Sequence, residues 1–237
     1  MKPLPWSHSA LSDFLNCPKA YYHKRVAKDV VDPPNDAGLA GDFIHKAFEA
    51  YLKDGTPLPS HYPDDIREWP SGIKPPSAYQ DYLDVLRKGS GTMYVECRYA
   101  INRKFEPVDF FAPDVWCRGI LDVLNIDGAK ARILDHKTGK RKFDTRQLKL
   151  NAMLVFIHHP EVLVVKTGYV WLKDGAVDAE TYIRDQEADL WSEYMMDLTR
   201  YNTAFKEEVF VPRQSGLCNG WCPVKQCEFW KPKRRKP

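Results

Sequence analysis

A hairpin that turns two aspartates and a lysine to one side constrains this chain more than any other stretch. The segment runs Gly119-Ile-Leu-Asp122-Val-Leu-Asn-Ile-Asp127-Gly128-Ala-Lys-Ala-Arg-Ile-Leu-Asp135-His-Lys137-Thr-Gly139. Residues 115–126 and 131–137 are rich in strand formers, and Asp127-Gly128 between them is a strong hairpin-turn signal. Side chains alternate along a strand, so Asp135 and Lys137 share a face. A two-residue turn at Asp127-Gly128 pairs Asp122 with Ile133, diagonal to Asp135, and paired residues point the same way. A four-residue turn shifts the pairing but keeps the parity. Asp122, Asp135 and Lys137 are therefore expected to converge at one end of the hairpin.

That grouping has a chemical use. Two carboxylates hold a hard divalent cation such as Mg²⁺, which prefers oxygen ligands. The ion lowers the pKa of a bound water and stabilises charge on a phosphoryl oxygen. A lysine beside it positions the water or stabilises the pentavalent phosphate. The competing reading is a surface strand with a salt bridge, and a D-x-K triplet alone would favour it. Yet Asp, His and Lys are poor strand formers, so their place at the end of an apolar strand needs a reason.

The remaining periodicities frame the hairpin. Ser9 reads as the N-cap of a first helix bearing Leu11, Phe14, Leu15 and Tyr22, with Pro18 restarting it after Cys17. Asp32 to Asp36 is a turn, and residues 38–52 form a strong helix. Its buried side carries Ile44, Phe48 and Tyr51; its small and polar side carries Gly38, Gly41, Asp42, His45 and Glu49. Residues 54–76 hold many of the prolines and read as an irregular insertion. A helix over 77–88 follows. Residues 92–101 alternate cleanly and form the first core strand, with Glu96 and Arg98 on its polar face. After the hairpin come a helix over 145–158, an apolar buried-type strand over 162–172, an edge strand over 177–183 and a long helix over 186–206. This order suits an α/β layer fold with a mixed sheet. His136 is expected to point away from Asp135.

The segment Cys218-Asn-Gly-Trp-Cys222-Pro-Val-Lys-Gln-Cys227 carries three cysteines separated by turn residues. They look like thiolate ligands wrapping a metal centre, with Cys17 as the natural fourth. Zinc on four cysteines, or a set of free thiols, are the other readings. Cys97 and Cys117 fall on apolar strand faces and read as core.

Four ordered motifs together resemble the PD-(D/E)-x-K nuclease superfamily, in its RecB-like branch, which includes phage and CRISPR-associated exonucleases. The pattern there is a helical histidine, G-x-x-D, D-x-K-T-G and Q-x-x-x-Y. Here Gly41-Asp-Phe-Ile-His45, Gly119-Ile-Leu-Asp122, Asp135-His-Lys137-Thr-Gly139 and Gln147-Leu-Lys-Leu-Asn151 stand in that order, with Asn151 where tyrosine is usual. The resemblance spans Ser9 to Cys227. It implies a restriction-endonuclease-like core, a mixed central sheet flanked by helices, with the chain ends joined by a cysteine-ligated centre. One nuclease domain over 1–237 is expected, with residues 1–30 and 207–230 as the cluster region and 38–206 as the core.

The same resemblance implies His45, Asp122 and Asp135 as ligands of Mg²⁺ or Mn²⁺. Asp122, Asp135, Lys137 and Gln147 become the catalytic set, and Glu96 a further candidate near it. One cysteine before the core and three after it bind a [4Fe-4S] cluster in that branch. Here that means Cys17, Cys218, Cys222 and Cys227, though with intervals of three and four residues instead of the commoner two and five. The implied activity is exonucleolytic hydrolysis of DNA, at free and often single-stranded ends, in phage-type recombination, replication or repair. Recombination or replication proteins are then the expected partners. The alternative is a non-catalytic or redox-regulated DNA-binding Fe–S module, against which the intact D-x-K argues.

Charge bears on the partner. A net charge of +3 permits nucleic acid without demanding it. The tail from Lys231 to Pro237 carries five charges in seven residues and reads as a solvated terminus ahead of a phosphate-tracking arm. No apolar run approaches membrane-spanning length and no signal peptide opens the chain, so a cytoplasmic location is expected.

Overall fold

The computed structural model describes residues 1–32, 35–142 and 144–232. Part of the expected Asp32–Asp36 turn and most of the basic tail lie outside the described residues. The chain resolves into two compact units, Met1–Pro33 with Trp191–Pro237, and Pro34–Leu190.

The second unit is built on a six-stranded sheet in the order β2-β1-β3-β4-β5-β6. The strands are β1 (Thr92–Ile101), β2 (Pro107–Val108), β3 (Cys117–Asp127), β4 (Lys130–Lys137), β5 (Val164–Trp171) and β6 (Ala176–Ile183). All neighbours are antiparallel except β4 and β5. A parallel pair needs a crossover, and helix α5 (Arg146–His158) supplies it. Leu148 and the run from Leu150 to Phe156 are buried in α5, so most of this helix is enclosed, as expected of a core helix.

Helix α3 (Asp36–Asp54) is capped by the Asn35 side chain, which accepts from the Gly38 N–H, and it ends at Gly55 with φ of 81°. Its buried residues Ile44, Phe48, Tyr51 and Leu52 pack with Leu83 of α4 (Gln80–Arg87), with Val123 of β3 and with Val170 of β5. The residues ahead of α4 form a 3₁₀ turn, Pro76–Tyr79, where one continuous helix is expected from sequence. Pro76 opens the turn, where its missing N–H would have no intrahelical partner in any case. The insertion contains no helix or strand between Gly55 and Pro75. It is pinned instead by buried Leu58, Ile66 and Ile73, by Tyr62 stacked on Trp69, and by the Trp69 indole donating to the Ile73 carbonyl.

The first unit holds α1 (His8–Asn16), α2 (Pro18–Tyr21), a π turn over Tyr22–Ala27, most of α6 (Glu187–Glu207) and the C-terminal turns. The cap of α1 is Ser7 instead of the expected Ser9, and its side chain accepts from the Ala10 N–H at 3.3 Å. The core is aromatic: Trp6, Phe14, Tyr21, Tyr194, Tyr201 and Phe205 are buried. The Tyr21 and Tyr201 hydroxyls meet at 2.6 Å, so neither polar tip is stranded. No helix of the described residues is long and apolar enough to cross a membrane.

Candidate active site

The hairpin turn falls one residue later than its Asp-Gly pair suggests. Asp127 pairs with Lys130, leaving Gly128 and Ala129 as the turn, and Gly128 takes the positive φ of 57° that such a turn requires. The ladder runs to Val123 opposite Leu134, which brings the next residues, Asp122 and Asp135, level instead of diagonal. There the main-chain pairing gives way to a side chain. Asp122 Oδ2 accepts the His136 backbone N–H at 2.7 Å.

Asp122 also meets a helix. His45 Nδ1 lies 3.3 Å from Asp122 Oδ2 and 4.0 Å from Glu96 Oε1. Among the described residues, His45, Glu96 and Asp122 form the one group of three metal-ligating side chains whose ligand atoms all lie within 4.8 Å of one another. Gly41, one turn before His45 on α3, makes this approach feasible. A Cβ there would stand 3.2 Å from Thr138 Oγ1, so the helix and the D-x-K-T-G segment meet where a side chain would crowd them.

Glu96 reaches the group by an unusual backbone. It sits in mid-strand with φ of 52°. Val95 pairs with Val123 and Cys97 with Leu121, so Glu96 is level with Asp122 while being absent from the paired ladder. A left-handed non-glycine residue costs on the order of 1–2 kcal/mol, and such strain clusters at functional sites. Alternation alone puts Glu96 on the polar face of β1. What it does not show is the local twist that aims its carboxylate beside Asp122.

Asp135 takes a different place. It lies outside that close trio and is gripped by its own neighbours. Lys137 Nζ stands 2.6 Å from Asp135 Oδ2, an ion pair, and donates to Gln147 Oε1 at 2.9 Å. Gln147 Nε2, on the first turn of α5, donates to Asp135 Oδ1 at 2.7 Å. The Tyr169 ring lies 5.1 Å beneath the ammonium. Asp135, Lys137 and Gln147 thus close a ring of three polar contacts.

Asn151, one turn after Gln147, is buried against β3. A Cβ on Gly119 would come within 2.8 Å of Leu154 Cδ1 and 3.3 Å of Asn151 Oδ1, so the glycine of the G-x-x-D motif is what lets α5 lie this close.

His136 is not idle. Its ring packs against Phe48, its Nε2 pairs with the Tyr82 hydroxyl at 2.9 Å, and its Nδ1 lies 3.7 Å from Asp122 Oδ2. His136 therefore backs Asp122, and Tyr82 holds the His136 ring. Sequence periodicity puts Tyr82 within the helix expected over 77–88 and gives no sign of this contact.

The charges follow this wiring. Burial alone would raise the Asp122 pKa, but the His136 and His45 contacts hold it well below the usual carboxylate range. Burial likewise opposes a charged His45, yet Asp122, with help from Asp135 and Glu96, raises its pKa to about 9. Burial, then the charge of Asp122, push Glu96 up to about 6. Asp135 is raised by the same two causes, and Lys137 pulls it back. The donors fit a hard divalent cation. Two carboxylates and an imidazole suit Mg²⁺ or Mn²⁺ bound with waters, and a cation would take over the neutralising part that the protonated His45 plays.

Cys17 and the three C-terminal cysteines, Cys218, Cys222 and Cys227, lie in the first unit and line one small pocket, with Lys19, Arg213, Val224 and Trp230 among its walls. Backbone N–H groups point at two sulfurs: Arg213 to Cys17 Sγ at 3.4 Å and Ser215 to Cys218 Sγ at 3.5 Å. Cys97 and Cys117 belong to the sheet, and burial pushes both thiols up, Cys97 to about 11.

A mixed sheet that sets carboxylates beside a helical histidine and a D-x-K whose aspartate is buried is the arrangement of a metal-dependent nuclease. The chain belongs to the PD-(D/E)XK nuclease superfamily, whose family model matches residues 5–227. Among solved structures it is similar to a protein of Eubacterium rectale described provisionally as an exonuclease. The TM-score is 0.53 at 12% identity, covering 92% of this chain and 86% of that one. A second structure, SSO0001, aligns with TM-score 0.42 at 13% identity over 96% and 88% of the two chains. None of the curated proteins matches the sequence.

Proposed function

We propose that this protein is a divalent-metal-dependent deoxyribonuclease of the RecB-like branch, cutting from DNA ends. The observation that carries the reading is the convergence of His45, Glu96 and Asp122 within 4.8 Å, level along the sheet with the Asp135–Lys137 pair. His45, Asp122 and Asp135 hold the metal, and Glu96 completes the acidic lining. When bound, Mg²⁺ or Mn²⁺ would supply an acidified water and charge stabilisation at the phosphoryl oxygens.

The chain's own groups do the rest. Asp122 is fixed by the His136 N–H, so it meets a cation without reorganising. Lys137, steered by Asp135 and Gln147, presents its ammonium where charge grows on the phosphate in the transition state. Gln147 holds both partners, so its amide is a positioning group for the lysine. The test is digestion of end-labelled linear and closed circular DNA, single- and double-stranded, with added Mg²⁺ or Mn²⁺. Linear DNA is degraded and circles survive. Cleavage of circles at an equal rate would replace the exonuclease reading with an endonuclease, and an inert protein would sink both.

The shared pocket supports a [4Fe-4S] cluster on Cys17, Cys218, Cys222 and Cys227, with zinc as the rival. The N–H···S contacts at Cys17 and Cys218 suit the charged sulfurs of such a cluster. A brown anaerobic preparation with iron and acid-labile sulfide supports the cluster; colourless protein with stoichiometric zinc supports the rival.

A further inference from the structure

Beyond Glu96 and Asp122, strands β1 and β3 continue as a strip whose one face carries the exposed side chains of Arg98 and Ile120. The next cross-strand pairs are Arg98 with Ile120 and Ala100 with Arg118. Directly opposed residues share a face, and Ile120 is 40% exposed there, unusual for a branched aliphatic residue on a core strand. Arg98 and Arg118 both set their guanidinium groups over the ring of Phe110, at 5.7 and 5.2 Å. Phe110 packs edge-on against Phe111, which is 76% exposed. Neither arginine is paired with a carboxylate among the described residues. Two cations are thus held in place by an aromatic ring, beside an apolar surface open to solvent, in register with the acidic site.

That is the chemistry of a single nucleic-acid strand. Guanidinium groups fork onto phosphate oxygens, and exposed aromatic and apolar faces receive unpaired bases, which a duplex keeps stacked inside. Alternate residues on one strand lie about 7 Å apart, so the Arg98 row is on the scale of one nucleotide step from Glu96, and Arg118 is one row further. We propose that Arg98, Arg118, Ile120 and Phe111 form the platform that grips the single-stranded DNA flanking the scissile phosphate. The arginines take two successive phosphates, and Phe111 with Ile120 takes the base between them. Phe110 fixes the arginines and does not itself touch DNA. The proposal rests on the nuclease reading and names the substrate form that the same site selects.

The test is binding before cleavage. Fluorescence anisotropy with a labelled oligo-dT and with a blunt duplex, both in EDTA, reads affinity while turnover is blocked. The Arg98→Ala/Arg118→Ala protein should bind oligo-dT at least tenfold more weakly. Its salt dependence should flatten by about 1.4 in slope, the share of two single-strand phosphates. Phe111→Ala, on an exposed side chain that folding does not need, should weaken oligo-dT binding about tenfold and leave the salt slope alone. In metal-activated digestion both changes should appear in KM, with kcat within about twofold. Unchanged oligo-dT affinity in both variants would overturn the platform, as would equal losses on single strand and duplex. Wild-type protein that binds oligo-dT through these residues but degrades nothing would uphold the platform and refute the nuclease reading.

Discussion

The acidic site and the cysteine pocket assemble their ligands by opposite means. Glu96 and Asp122 are level across adjacent strands, and Asp122 is anchored by a main-chain N–H at 2.7 Å. Strand pairing places these carboxylates before any cation arrives. The cysteines sit on turns: Cys17 between two short helices, Cys218 at the end of a 3₁₀ turn, Cys222 and Cys227 in the irregular segment after it. Turns leave the final placement to the ligand. The lesson is that one centre should be lost through its chemistry and the other through its folding.

Exchanging the damage breaks or upholds that contrast most directly. Asp122→Ala should lower DNA cleavage on the order of 10³-fold or more while the melting temperature stays within a few degrees. Cys222→Ala should keep most cleavage per folded molecule. It should melt roughly 8–16 °C lower under anaerobic conditions, from about 4 kcal/mol of lost ligand stabilisation. Activity assays beside thermal melts read both; a Cys222 variant that melts normally would remove the structural role assigned to the cysteines.

A smaller effect sharpens the acidic side. In the metal-free protein His45 is protonated up to about pH 9 and Glu96 up to about pH 6. Metal must displace those protons, so Mn²⁺ affinity should rise roughly tenfold per pH unit between 6 and 9, more steeply below 6, and level off above 9. Titration of Mn²⁺ by electron paramagnetic resonance measures it, and His45→Gln should remove the slope between pH 6 and 9. The smallest effect isolates the strained backbone. Glu96→Gly relieves the left-handed φ and should raise the metal-free melting temperature by about 2–4 °C, for roughly 1 kcal/mol. The same change should weaken Mn²⁺ binding. A lower melting temperature would show that the Glu96 side chain contributes more than its backbone costs.

Much of this molecule is legible in its sequence because its periodicities are unmixed. Strand β1 is found at Thr92–Ile101, and α5 and α6 begin within a residue of where their patterns place them. What the sequence hides is set by tertiary context. Asp127-Gly128 is the stronger turn dipeptide, yet the turn is Gly128-Ala129, since the ladder, and not the dipeptide alone, fixes register. Glu96 looks like one of several polar strand residues until its φ of 52° is known. His136 does point away from Asp135, but strand alternation cannot show that its main-chain N–H and its ring both serve Asp122. The cysteines are obvious as a group, while their spacing in three dimensions depends on turns whose geometry composition does not specify.

Gly119 carries a consequence for how such a chain can change over time. With Leu154 Cδ1 only 2.8 Å from where its Cβ would be, growth at position 119 needs the buried Leu154 side chain to shift or to be replaced by a smaller one. Gly119 is also three residues from Asp122, on the strand that delivers it. Relatives with alanine or serine at 119 should therefore carry a smaller residue at 154, so that two sites far apart in the gene drift as a pair.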